Sequence, residues 1–557
     1  QKHDYQNDNK EKFIPFDKLT KLRSEEAKRS ILVQVNSEQS FNELQAYCSQ
    51  FGNIQKAYHF IVSTGHFMLL EFLKESEVNL VLANSNHITE GGIPTQSPFL
   101  WFRALNNAKT TSKPKAIPNN SNLLLAVNGL KILDDTEVES LLQSAKNVDE
   151  QIISLYKMTC LNELEIRLRY FAARQVELVL SGLFPNVNVK PFGSSVSGFG
   201  KQGCDLDLVL RLSHEKQDQK SRFVFHTKST LNNGRANTQR QMEVVGDLLH
   251  LFTPGCANVR KILQARVPII KYYQEYVGLE CDLSMTNLTG VYMSELLYIL
   301  GCIDSRVCPL IFTIRKWAKS VGLTNASPGR WISNFSLSLL VIFFLQQGQN
   351  NKAILPKIKH LIDNAGKDDV RITEDLINCS FLRDINNQQI WDFNNTDSLC
   401  ELLFNFFDFY STFDFNSHAI SVIKGQHVPK PDHSPIYIIN PLEPQLNVSK
   451  NVSYEEAQRF QIEVRNAAWI LESVSEKDAQ SNAKWGLLNI FQNHKSTIKI
   501  PDFLLNITKP RMVEVKKLFD DENIQFQNDN VRKEINNIKI TTKKDIKRFK
   551  SPRARRR

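Results

Sequence analysis

At 557 residues the chain is too long for one compact core, so two or three domains are expected. It is 41% hydrophobic and 23% charged, an ordinary globular composition, and its most apolar run, Leu337 to Leu345, falls far short of the ~20 residues that span a bilayer. The net charge of +10 sits mostly in a tail, because residues 543–557 hold nine basic residues against Asp545, so global basicity is no argument for nucleic-acid binding.

Nine cysteines, an odd number with no C-x-x-C spacing, argue for free thiols in a reducing compartment and against a zinc site. Gln1 opens the chain with no signal-peptide pattern, which leaves room for an upstream segment carrying an address. Residues 1–28 are polar and aperiodic, and read as a flexible lead. Residues 29–104 read as a small α/β unit of order β-α-β-β-α, resembling an RRM-like fold, with strands ILVQV, IQKAYHFIV and HFMLLEFL. RNA-binding units of that kind stack bases on aromatics of their central strands. Here Leu32 and Leu69 stand at those places and only Phe67 is aromatic, so a packing or dimerisation surface is expected, with a second copy of the chain as candidate partner. Residues 105–121 are a linker of Asn, Thr, Ser, Pro and Lys. The remaining core spans 122–510. Its sheet is expected at about 184–290 and its helical lobe at about 135–183 and 291–510.

The informative stretch is PFGSSVSGFGKQGCDLDLVLRL, from Pro191 to Leu212. A strand ends in Gly193 and Ser194, a Gly-rich connection follows, and a second strand carries Asp205 and Asp207. Residues two apart share a strand face, at a Cα spacing of roughly 6.6 Å, while Leu206 and Leu208 point to the core. At ~4 Å two like charges repel by about 4 kcal/mol at an effective dielectric of 20, so one carboxylate protonates or a hard divalent cation intervenes. Taken alone, D-x-D is more often a solvated strand edge. A third acid in an apolar-alternating segment, Asp282 of GLECDLSM, shifts that balance.

Between these strands, residues 213–238 read as a polar excursion whose Arg222, Lys228 and Arg235 either meet an RNA backbone or, more often for such loops, are solvated charges, QRQMEVVGDLLHLF as a helix, and KILQARVPIIKYY as one strand. CPLIFTIRKWAKSVGL is an amphipathic helix with Arg315 and Lys319 on one face, suited to a triphosphate or simply an exposed basic face. Ser333 and Asn334 open a buried helix, where hydroxyl and free N–H groups can hold an anion, and Phe335 is either a base-stacking ring or core. Residues 352–425 read as further helices, with His427 and His433 as loop histidines without chemistry. IYIINPLEPQLNVSKNVSYEEAQRFQ reads as a short strand, a Pro-rich turn and a capping box of Ser453 with Glu456. Residues 511–557 read as a polar, basic disordered tail.

The Gly-Ser, spacer, D-x-D and later Asp resemble the DNA polymerase β-like nucleotidyltransferases. With RKWAK…WISNFSLSLLVIFFLQ and PLEPQLNVSKNVS, the chain resembles the noncanonical poly(A) polymerases and, within them, their mitochondrial branch, over roughly residues 31–505. The resemblance implies an α+β nucleotidyltransferase palm with a helical lobe that adds AMP from ATP to RNA 3′ ends in the mitochondrial matrix, by two-metal transfer with Mg²⁺ or Mn²⁺. Asp205, Asp207 and Asp282 would be its metal carboxylates. Gly193 and Ser194 would meet the nucleotide phosphates. Arg315 and Lys319 fall where relatives place two lysines on the triphosphate; Arg changes the donor geometry there. Asn334 and Phe335 fall where many relatives have Ser-Tyr, so the hydroxyl is absent. A uridylyltransferase of the same superfamily and an inactive RNA-binding scaffold are the competing readings; CCA-adding and protein-nucleotidylating enzymes match the lobe less well.

Overall fold

The computed structural model describes residues 13–491 except 88–91, 104–122, 128, 185, 213–221, 223–225, 227–233, 286, 328, 349–352, 387–394 and 474–483. The linker at 105–121, the tail at 511–557 and most of the excursion after the D-x-D strand therefore lie outside the described residues.

The first correction is to the lead. Its residues from Phe16 form a helix, α1 (Phe16–Lys28), with Phe16 and Ala27 buried. Its stability comes from partners remote in sequence. Arg167 sits between Glu26, Glu71 and Glu163 at 2.8, 2.7 and 2.8 Å, with its side chain only 3% exposed. Arg23 bridges Glu26 and Glu163.

Strand β1 (Ser30–Val35), α2 (Phe41–Cys48), β2 (Ile54–Val62), β3 (Gly65–Phe72) and α3 (Glu75–Ala83) follow in the expected order. Short strands β4 (Phe99–Trp101) and β5 (Leu125–Ala126) close the edges, giving β4-β1-β3-β2-β5. Period-2 alternation sends Ile31, Val33, Met68 and Leu70 to the face covered by α2 and α3. It sends Leu32, Phe60, Phe67 and Leu69 to the other face. There they are sealed against Leu164, Leu168, Phe171 and Val277 of the core domain. The face that an RNA-binding RRM uses for stacking is thus an internal packing surface.

Helices α4 (Asp135–Gln143), α5 (Val148–Thr159) and α6 (Glu163–Ser181) come next. A capping box of Asn162 and Glu165 starts α6. Though expected in the helical lobe, α6 packs on the second sheet, because Leu168, Phe171, Val176 and Leu180 join that sheet's core. This sheet runs β6 (Val187–Phe192), β7 (Leu206–Leu212), β10 (Leu279–Met285), β9 (Ile269–Gln274), β8 (Cys256–Ile262), with α7 (Gly234–Phe252) against β8. Only β7 and β10 are parallel neighbours. KILQARVPIIKYY is two strands rather than one, since residues between Ile262 and Ile269 turn the chain. Arg235 lies on α7 and donates to the Gln264 and Ala265 carbonyls, so it serves that turn.

The lobe is built from α8 (Leu288–Ile303), α9 (Val307–Ser320), α10 (Asn334–Leu345), α11 (Ile358–Asp363), α12 (Leu399–Thr412), α13 (Tyr454–Ser473) and α14 (Leu487–Phe491), with α4 and α5 packed in. α10 is apolar all round and lies in its centre. The expected run of helices over 352–425 is interrupted. A hairpin of β11 (His418–Ser421) and β12 (Gln426–Pro429) follows α12, and His427 belongs to β12, its ring 4.3 Å from that of His418. No single helix among the described residues is long and apolar enough to cross a membrane.

Candidate active site

The site is built where β6 hands over to β7. β6 stops at Phe192 because Gly193 takes φ +70°, a conformation side chains disfavour. A Cβ there would lie 2.4 Å from Asp207 Oδ2, so the turn and the carboxylate are in direct contact. Gly193 N–H donates to Ser294 Oγ of α8 at 2.7 Å. The connection to β7 is held by Arg169 of α6, which is 1% exposed. Its Nε donates to Ser195 Oγ at 3.2 Å and its Nη2 to the Cys204 carbonyl at 2.7 Å, so one buried guanidinium ties both ends of the loop. The Ser194 hydroxyl faces Cys204 Sγ at 3.6 Å.

β7 and β10 place Asp207 directly opposite Asp282 in register. Asp205 lies just before β7 and is exposed. Burial, then the charges of Asp282 and Asp205, push the Asp207 carboxyl up to about 7, with Lys271 acting the other way. Lys271 stands opposite Asp282 on β9, its Nζ 2.5 and 2.6 Å from the two carboxylate oxygens. Among the described residues no three His, Cys, Asp or Glu side chains already form a metal-holding group. The donor set nonetheless fits a hard divalent cation. All three groups are carboxylates, two face each other on adjacent strands, and the Lys271 ammonium stands in as the positive charge they draw.

Arg315 of α9 does not stand free for a phosphate. Its Nη1 donates to the Phe199 carbonyl at 2.6 Å, and burial pushes its pKa down to about 10. Phe199 itself is buried in the lobe core, so this bond fixes the Gly-rich loop to α9. Lys319, one turn on, is exposed. Ser333 is the N-cap of α10, its Oγ accepting from Ser336 N at 3.0 Å, so its hydroxyl is already engaged. Asn334 is exposed, and Phe335 is half-buried with one side on the lobe core. Among the described residues no hydrogen bond or ion pair links Ser333, Asn334 or Phe335 to the three aspartates. Just before them, Arg330 ties to the 440–456 segment: Ser453 N–H donates to the Arg330 carbonyl, and Arg330 pairs with Glu456. The expected capping box is therefore half made: Glu456 N–H reaches Ser453 Oγ, but the Glu456 carboxylate turns to Arg330 and Arg459. In the same segment Glu443 pairs with Arg266 of the β8–β9 turn at 3.1 Å.

Sequence reasoning missed Arg169, Lys271 and Arg266. Arg169 and Arg266 act on residues far off in sequence, and only the period-2 placement of Lys271 in the strand before Asp282 gave a local signal.

A mixed sheet with opposed aspartates on neighbouring parallel strands, a Gly-Ser turn pressed on one of them and a helical lobe alongside is a nucleotidyltransferase palm. Three family descriptions match the chain: "Poly(A) RNA polymerase, mitochondrial-like, central palm domain" over residues 148–301, "Cid1 family poly A polymerase" over 398–446 and "RL domain" over 15–85. The chain is 48% identical to the mitochondrial poly(A) RNA polymerase of Drosophila melanogaster, across 94% of this chain and 89% of that one. To the Homo sapiens protein of the same name it is 36% identical, across 87% and 83%. The crystal structure of mtPAP in complex with ATPγS superposes with a TM-score of 0.79 at 33% identity, covering 86% of this chain and 100% of that one. The chain belongs to the mitochondrial poly(A) RNA polymerase family.

Proposed function

We propose that the chain is a template-independent polynucleotide adenylyltransferase that adds AMP from ATP to RNA 3′ ends in mitochondria. The observation that carries this is the register of Asp207 with Asp282 under the Gly193 turn, in a chain of this family. In the reaction the RNA 3′-hydroxyl oxygen forms a bond to the α-phosphorus, the α–β bridging bond breaks, and pyrophosphate leaves. Asp205, Asp207 and Asp282 are the residues that would hold Mg²⁺ or Mn²⁺, which supplies positive charge to the attacking hydroxyl and the leaving pyrophosphate.

The chain's own groups do the rest. Asp282 takes the hydroxyl proton. Gly193, held by Ser294, and Ser194, next to the Ser195 that Arg169 holds, present the turn to the nucleotide phosphates. Lys319 neutralises the triphosphate, and Arg315 contributes by holding the loop in place. Asn334 and Phe335 line the nucleotide's approach beside the 440–456 segment, which sets base preference.

The domain division proposed is a lead helix with an RRM-like unit, a palm that includes α6, and a helical lobe. A second copy of the chain is a candidate partner; among the described residues both faces of the RRM-like sheet are covered, which leaves the edge strands β4 and β5 for it to pair with there. Solved structures of mtPAP with ATPγS and with UTP leave a uridylyltransferase as the second reading. Purified protein, Mg²⁺ and a labelled RNA should give long extension with ATP alone. Extension with UTP alone would move the assignment to the second reading. Extension by Asp207→Ala at the wild-type rate would overturn the site.

A further inference from the structure

The Gly-rich loop carries one more cation, Lys201, which neither the sequence pattern nor the family likeness assigns. Its backbone is fixed from two sides. Lys201 forms an antiparallel bridge with Cys160, flanked by hydrogen bonds from Leu161 N–H to the Gly200 carbonyl and from Gln202 N–H to the Thr159 carbonyl. Gly200 is packed so closely that a Cβ would lie 2.6 Å from both Leu161 and the Ser194 carbonyl. Two residues earlier, Arg315 grips Phe199. The loop therefore holds Lys201 at a fixed place beside α9.

Its neighbours there are cations. Burial lowers the Lys201 pKa, and the charges of Lys319, Arg315 and Lys316 lower it further. Lys316 is satisfied by Asp135 at 2.9 Å. Among the described residues neither Lys201 nor Lys319 has an ion pair. Like charges held together, with Asp135 engaged by Lys316 and shared only through its field with Lys319, destabilise the empty site and favour a ligand carrying several negative charges. Asp205 follows four residues after Lys201, so such a ligand lies along the loop that leads to the carboxylates.

We infer that Lys201 is a binding residue for the polyphosphate of the incoming nucleotide, acting with Lys319 across the mouth between the Gly-rich loop and α9. Arg315 is then a positioning residue that sets where the Lys201 ammonium stands. This rests on the adenylyltransferase reading, since that reading supplies the triphosphate.

The test uses the full chain and inorganic tripolyphosphate, measured by titration calorimetry without RNA, beside the KM for ATP in RNA extension. A lost charge-assisted hydrogen bond corresponds to about a tenfold or greater loss of affinity. Lys201→Met is expected to weaken tripolyphosphate binding and raise the KM for ATP by that factor with kcat little changed, and Lys201→Arg to restore most of both. Circular dichroism checks that each variant keeps its fold. If the wild type binds tripolyphosphate and Lys201→Met binds it equally well, the role of Lys201 falls. If the wild type binds no tripolyphosphate and does not extend RNA with ATP, the adenylyltransferase reading falls with it.

Discussion

Replacing Arg167 by Met should loosen the attachment of the RRM-like unit to the palm. The guanidinium lies 2.7–2.8 Å from the carboxylates of Glu71 on β3, Glu26 on α1 and Glu163 on α6. Glu71 and Glu26 are 5% and 10% exposed in their side chains, so the substitution leaves buried carboxylates short of a partner. Breaking such a pair from one side costs about 3–5 kcal/mol. Arg29 still reaches Glu71 at 2.6 Å and Arg23 still reaches Glu26 at 3.0 Å, which puts the expectation at the lower end, about 3 kcal/mol. At 1.4 kcal/mol per factor of ten, amides of β3 should exchange with deuterium about a hundredfold faster. Adding Glu26→Gln and Glu71→Gln should recover much of the protection, because the penalty belongs to unpaired charge. Acceleration below about fivefold in the single variant, or no recovery in the triple, would refute the argument.

Gly193→Ala should lower the rate of adenylate addition at least a hundredfold while the far-ultraviolet spectrum stays unchanged, since the methyl group meets the Asp207 carboxylate and the backbone sits at φ +70°; a near-normal rate in the RNA extension assay would contradict it. Burial pushes the Glu163 carboxyl up, but the hydrogen bond and charge of Arg23 and then Arg167 outweigh this and hold it down at about 2. A depressed folded-state pKa means stabilisation that is complete above the usual range near 4.5 and fades as the pH falls toward 2. The urea midpoint of the wild type should therefore drop more between pH 6 and pH 3 than that of Glu163→Gln, and parallel drops would remove Glu163 from the cause.

A strand's two-residue repeat made Asp207 and the core-facing Leu206 and Leu208 legible, but Asp205, expected on the same strand face, stands just before β7. That Asp282 stands level with Asp207 was not, since register between parallel strands is fixed by everything in between. The lead helix was hidden for a related reason. FDKLTKLRSEEAK buries little besides Phe16 and Ala27, and the arginine that completes its charges comes from α6. KILQARVPIIKYY read as one strand because its apolar content runs through the turn, and α6 was credited to the lobe because periodicity tells that a helix has a buried face and not what covers it. The basic face of α9 read as a triphosphate site or an exposed basic face; the fold gives Arg315 a carbonyl instead.

The sealed seam beneath Leu32, Phe60, Phe67 and Leu69 bears on how this enzyme can be taken apart. A truncated chain starting after the linker would present a bare hydrocarbon wall of Leu164, Leu168 and Phe171 to water, an invitation to aggregate. The amino-terminal module is thus a lining that the catalyst needs for solubility, and trimming it should compromise the enzyme before any question of RNA choice arises.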